Sequence, residues 1–138
     1  MRRPSLSVVE ECYRGSQVRV FRLNREAAVA ALRDSARRLL AERPEVLEVR
    51  LFGSLRKGQA GPGSDADLLI ILEGSAKSFI DRIPDYARYL TVSGLGCDVF
   101  PYTQAEFARL RRERNAFAET AWSEGERLAG RGGRVTVL

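Results

Sequence analysis

Two aspartates one residue apart, Asp65 and Asp67, open the most apolar stretch of the chain, Leu68-Leu69-Ile70-Ile71-Leu72. Side chains alternate across a strand, so this spacing predicts both carboxylates on one face, a few ångströms from each other. Two like charges held that close are costly unless a cation sits between them. The apolar run predicts a central strand of a covered sheet, a rigid platform for the pair. The chain contains no histidine. That excludes Ser-His-Asp, Cys-His and histidine-ligated metal chemistry and leaves oxygen ligands, which suit magnesium, manganese or calcium.

A second group lies just upstream. Val46 to Phe52 reads as a strand, and Gly53-Ser54 closes it with a turn that opens a short basic helix. Glycine permits a tight turn and close approach of backbone to a ligand. Ser54 can cap the following turn, whose free N–H groups and positive dipole end attract phosphate. Lys57 lies three residues on and can add a cation. A phosphate cradle beside a dicarboxylate predicts a metal–nucleotide pocket.

The ordered set Gly53-Ser54, Gly58, then Ser64-Asp65-x-Asp67-Leu68 resembles the motif of the DNA polymerase beta-type nucleotidyltransferase superfamily. Its register matches the minimal nucleotidyltransferase (MNT) branch, often paired with HEPN-domain proteins. Asn115-x-Phe117 and Trp122-Ser123-Glu124-Gly125 resemble the closing segment of MNT proteins, so the resemblance covers about residues 24 to 128. It implies an α+β fold, a mixed sheet of about four or five strands flanked by helices. It also implies a third carboxylate on a later strand, a place Asp98 fills in Gly96-Cys97-Asp98-Val99-Phe100; alone, Asp98 would read as a routine strand-end aspartate. The implied activity is transfer of a nucleoside monophosphate, AMP from ATP or another nucleoside triphosphate, to a hydroxyl acceptor. Asp65, Asp67 and Asp98 would hold Mg²⁺ (or Mn²⁺), and Gly53, Ser54, Lys57 and Ser64 would bind the nucleotide. One implied acceptor is a HEPN-type toxin, which makes the chain an antitoxin. Alternatives are transfer to a small antibiotic-type hydroxyl compound across a homo-oligomer interface, or a non-catalytic binding module.

Composition sets the frame. At 138 residues with 44% hydrophobic and 30% charged residues, the chain suits one soluble globular domain. The longest apolar run is too short to cross a bilayer, and Glu10 and Glu11 interrupt any signal-like start, so a cytoplasmic protein is expected. Two cysteines make neither a disulfide framework nor a zinc cluster. Cys97 alternates with Asp98 and reads as a small core residue. The net charge of +5 is nearly all arginine. It suits a nucleotide or acidic partner, or plain solvation; without aromatic–basic interleaving, nucleic acid is not expected.

The remaining elements position these groups. Residues 1–23 read as an extension, two strands around Arg14-Gly15-Ser16, with a helix over Ser5 to Tyr13 as the competitor. Its free edge would suit a homo-oligomer. Asn24 caps a helix reaching about Glu42, with Ala28, Ala31, Leu32, Ala36, Leu39 and Leu40 inward and Arg33, Arg37 and Arg38 solvated. Gly58 to Gly63 reads as a loop. Ser75 is the expected cap of a helix burying Phe79, Ile80, Ile83, Ala87 and Leu90, kinked or split at Pro84. Tyr86 and Tyr89 read as packing or surface residues, with nucleobase stacking the rarer role. A third strand spans Cys97 to Tyr102. Thr103-Gln104-Ala105-Glu106 forms a capping box for a helix with Phe107 and Leu110 inward, and Trp122 packs. Residues 129–138 form a tail, frayed or adding an edge strand from Gly130 on.

Overall fold

The computed structural model describes residues 9–15, 17, 19–53, 65–92 and 94–132; for Cys12, residues 19–23 and Asp65 it describes the main chain. The N-terminal segment is a hairpin of β1 (Val9–Arg14) and β2 (Arg19–Leu23), not a helix. It docks through Val9 against the core and through Glu10, whose carboxylate accepts a 2.7 Å hydrogen bond from the Asn24 amide. Asn24 also caps α1 (Arg25–Glu42), its Oδ1 accepting from the Ala27 N–H. The helix buries Ala28, Leu32, Ala36, Leu39 and Leu40 as the spacing predicts, and leaves Ala31 half-buried.

Four strands form the main sheet in the order β5–β4–β3–β6: β3 (Val46–Phe52), β4 (Asp65–Leu72), β5 (Gly96–Thr103) and β6 (Glu126–Gly130). β3 is antiparallel to both neighbours and β4 is parallel to β5. A parallel pair needs a crossover, and α2 (Phe79–Ala87) supplies it. Helices cover both faces. Ala66, Leu68, Ile70 and Leu72 of β4 pack with α1 and α2, while Leu69 and Ile71 pack with α3 (Gln104–Arg112) and α4 (Ala116–Ser123). The run Leu68 to Leu72 is apolar throughout because both its faces are buried.

Some expectations need correction. α2 starts at Phe79 after Ser78, not at Ser75, whose hydroxyl instead accepts from the Lys77 N–H. Of its expected inward residues Ile83, Ala87 and Leu90 pack against the core and Phe79 against Tyr102, but Ile80 is 69% exposed, and Arg82, not expected inside, is only 4% exposed. Arg82 goes inward because its guanidinium finds Glu106 at 2.6 and 3.2 Å and the carbonyls of Lys77 and Pro101. The helix runs unsplit through Pro84, and Tyr89 and Leu90 follow in turns. Among the described residues β6 is an edge strand, beginning before the expected tail and overlapping its first residues. Residues 133–138 lie outside the described residues.

Other expectations match. Thr103 and Glu106 form the capping box, and Phe107 is fully buried. Tyr86 is a packing residue, 3% exposed, with its hydroxyl on Glu45.

Candidate active site

β4 and β5 begin, and β3 ends, at the same border of the sheet. That border carries the carboxylates. In the parallel register Asp67 lies beside Asp98, and Asp65 lies opposite Gly96. Across the antiparallel pair Asp67 faces Phe52, the last residue of β3, so Gly53 follows immediately beside it. Neighbouring strands run about 4.8 Å apart, so Asp67 and Asp98 are lateral neighbours on one face. Asp67 is half-buried and Asp98 is exposed. Cys97 faces the opposite side, packed against the core with Val99, as its alternation predicts.

Gly53 has φ +81°, the left-handed region that suits glycine. A Cβ built there would overlap Oδ2 of Asp67 and lie 3.1 Å from its Cγ. The glycine therefore does two things: it turns the chain and leaves room for the Asp67 carboxylate. Below this row the sheet turns apolar. Phe52 and Phe100 stand 5.6 Å apart, with Phe117 of α4 at 5.6 and 5.0 Å from them. The carboxylates thus sit where a packed aromatic floor gives way to the sheet border.

Gly53 lies beside Asp67, and the β4–β5 register sets Asp98 next to Asp67. Ser54, Lys57 and Ser64 lie outside the described residues. Among the described residues no three acidic, cysteine or histidine side chains converge as a metal site. The oxygen-only pair Asp67–Asp98 and the space kept at Gly53 fit a hard divalent cation.

Sequence reasoning missed a polar network on the same face of β3. Glu48 is 5% exposed and meets Arg50 at 3.5 Å and Arg127 at 3.3 Å. Arg50 also donates to the carbonyls of Trp122 and Gly125 at 3.3 and 2.8 Å, and its guanidinium lies 4.2 Å over the Trp122 ring. It ties the end of α4 to the start of β6 and so steadies the helix that brings Phe117 to the floor. The signal was the alternation Glu48-Val49-Arg50-Leu51, two opposite charges on one face of a central strand.

The chain is similar to the following known proteins. The solved structure of a Sulfolobus solfataricus protein assigned to the nucleotidyltransferases matches at 16% identity and TM-score 0.54, over 83% of this chain and 90% of that one. At that identity the likeness shows a shared fold. A toxin–antitoxin structure with AMP-PNP matches at 20% identity and TM-score 0.44, over 80% and 76% of the two chains. A mutant of the toxin–antitoxin MntA–HpeT matches at 17% and 0.43, over 80% and 75%. No curated protein matches the chain. The family model for the nucleotidyltransferase domain matches residues 32–123, which span β3, β4 and β5 with all three aspartates, and the chain therefore belongs to the nucleotidyltransferase domain family.

Proposed function

We propose that the chain transfers a nucleoside monophosphate, AMP from ATP, to a hydroxyl group, with Asp65, Asp67 and Asp98 holding Mg²⁺. The observation that carries this is the Asp67–Asp98 pair at one sheet border, with Gly53 leaving space against the Asp67 carboxylate. A divalent cation bound there neutralises phosphate charge. Gly53 and Ser54, with Lys57 and Ser64, bind the triphosphate and hold it for in-line attack. The acceptor oxygen bonds to the α-phosphorus, the bond from that phosphorus to the α–β bridging oxygen breaks, and pyrophosphate leaves. Asp98, the more exposed carboxylate, takes the acceptor's proton. Catalysis is then mostly positioning and charge neutralisation.

The MNT-type motif supports a protein acceptor, a hydroxyl on a HEPN-type toxin, which would make the chain an antitoxin. No helix among the described residues is long and apolar enough to cross a membrane. The test is incubation of the purified protein with α-labelled ATP, Mg²⁺ and lysate of its own organism, beside the Asp65→Ala/Asp67→Ala variant. A labelled protein band with the wild type alone is the expected result. Label in a small molecule instead would move the acceptor to an antibiotic-type compound. Absence of label anywhere, with Mg²⁺–ATP binding intact, would make the chain a nucleotide-binding module.

A further inference from the structure

The lateral edge of the sheet at β6 carries a different chemistry. β6 is the outermost strand, and among the described residues it is hydrogen-bonded to β3 alone. α1 lies alongside it. Between them runs a groove of about 460 Å³, with Arg33, Arg37 and Leu40 on the helix wall and residues 127–130 on the strand wall. Three arginines and no carboxylate line it. A neighbouring hollow of about 340 Å³ continues along α1 to its start, lined by Arg25, Arg33 and Arg37 together with Glu26 and Asp34.

We propose that this groove seats an extended acidic segment of a partner protein, added as a strand to β6 with its carboxylates against Arg33, Arg37 and Arg127. Two independent features favour that occupant. The strand edge offers main-chain hydrogen bonds, the means by which peptides augment sheets. The charge is complementary and accessible: the side chains of Arg33, Arg37 and Arg127 are 36%, 65% and 47% exposed. Their present partners leave room for exchange. Arg33 meets Glu126 at 3.6 Å and Arg37 meets Asp34 at 3.8 Å, both longer than a charge-assisted hydrogen bond. Arg127 holds Glu48 through Nε and the Arg131 carbonyl through Nη2.

Leu40 and Leu128, nearly buried, and the half-buried Ala129 close the base of the groove. No aromatic ring lines the groove, which disfavours single-stranded nucleic acid, and two copies of so basic an edge repel each other. The proposal stands on this edge alone and does not depend on nucleotidyl transfer.

The test uses the full chain and a fluorescein-labelled heptapeptide of alternating Glu and Val, read by fluorescence anisotropy. The wild type binds it, and Arg33→Gln/Arg37→Gln binds about tenfold more weakly, the loss expected for two solvent-exposed ion pairs. Arg109→Gln/Arg112→Gln on α3 makes the same change in net charge and leaves affinity unaltered. Methylating alternate peptide amides abolishes binding. Equal loss in both double variants would reduce the effect to net charge and overturn the proposal. So would undiminished binding of the methylated peptide, or tighter Arg33- and Arg37-dependent binding of an oligonucleotide. Binding seen only after removal of residues 133–138, or a dimer that the peptide dissociates, would assign the groove to the chain itself and equally overturn it.

Discussion

Replacing Gly53 by alanine tests the geometry at the carboxylates directly. Gly53 sits at φ +81°, where an L-residue costs about 1–2 kcal/mol. The new methyl would also overlap Oδ2 of Asp67 and force the carboxylate off its rotamer, adding about 0.5–1.5 kcal/mol. The variant should therefore lose about 1.5–3.5 kcal/mol. The two contributions separate in an Asp67→Ala background, where Asp67 Cβ, 3.4 Å from the built atom, remains as an ordinary contact. There Gly53→Ala should cost only the backbone share, leaving a coupling of about 1 kcal/mol between the two positions. Urea unfolding of wild type, both single variants and the double variant measures it. Equal costs of Gly53→Ala in the two backgrounds would refute the contact, and a cost near zero in both would refute the left-handed turn. If Asp67 binds metal as proposed, displacing its carboxylate by about 1 Å should also lower nucleotidyl transfer about 100-fold.

Asp98→Asn removes one of two laterally paired like charges, so in chelator it should melt slightly higher, by about 0.5 kcal/mol. If Asp98 holds Mg²⁺ as proposed, Mg²⁺–ATP should stabilise the wild type and this variant less; an equal ligand-induced shift in both would dissociate Asp98 from the metal. Glu106 is held below the ordinary glutamate range chiefly by its hydrogen bond from Arg82, against partial burial. Its contribution is therefore fully present above the unfolded pKa and lost as pH falls through the lower folded value. Glu106→Gln should flatten the decline in stability in that acid window, and parallel pH profiles for the two proteins would contradict the pairing. Arg131 caps the end of α1 by donating to the carbonyls of Leu40 at 2.6 Å, Arg43 at 3.0 Å and Val46 at 2.8 Å. Arg131→Ala should cost about 1–3 kcal/mol in urea unfolding, since it orphans those acceptors, and an unchanged midpoint would mean that water satisfies them.

Much of the fold was legible because local rules and global packing agree. Asn24, the helical stripe from Ala28 to Leu40 and the capping box at Thr103 are short-range patterns, and each occurs as its spacing predicts. The apolar run of β4 announced its own burial, and Phe52 and Gly53 marked the end of β3. β6 escaped notice because Glu-Arg-Leu-Ala-Gly has little strand character; its existence depends on the open edge of β3 and on Arg50 holding Gly125. The burial of Arg82 and the exposure of Ile80 in α2 escaped for a similar reason. Nothing local tells an arginine to turn inward and an isoleucine outward; Glu106, 24 residues on, makes that exchange favourable.

The candidate site divides along the same line. Residue types and order alone determined the oxygen-only chemistry, the Asp65–Asp67 spacing and the glycine turn ahead of it. Asp98 could be matched to the set by resemblance. Its position beside Asp67 was decided by the parallel β4–β5 register, which α2 and the two-sided core impose. The reason is range: alternation and capping act over a few residues, whereas strand register and the partners of a buried charge depend on surfaces that meet only when the chain has folded.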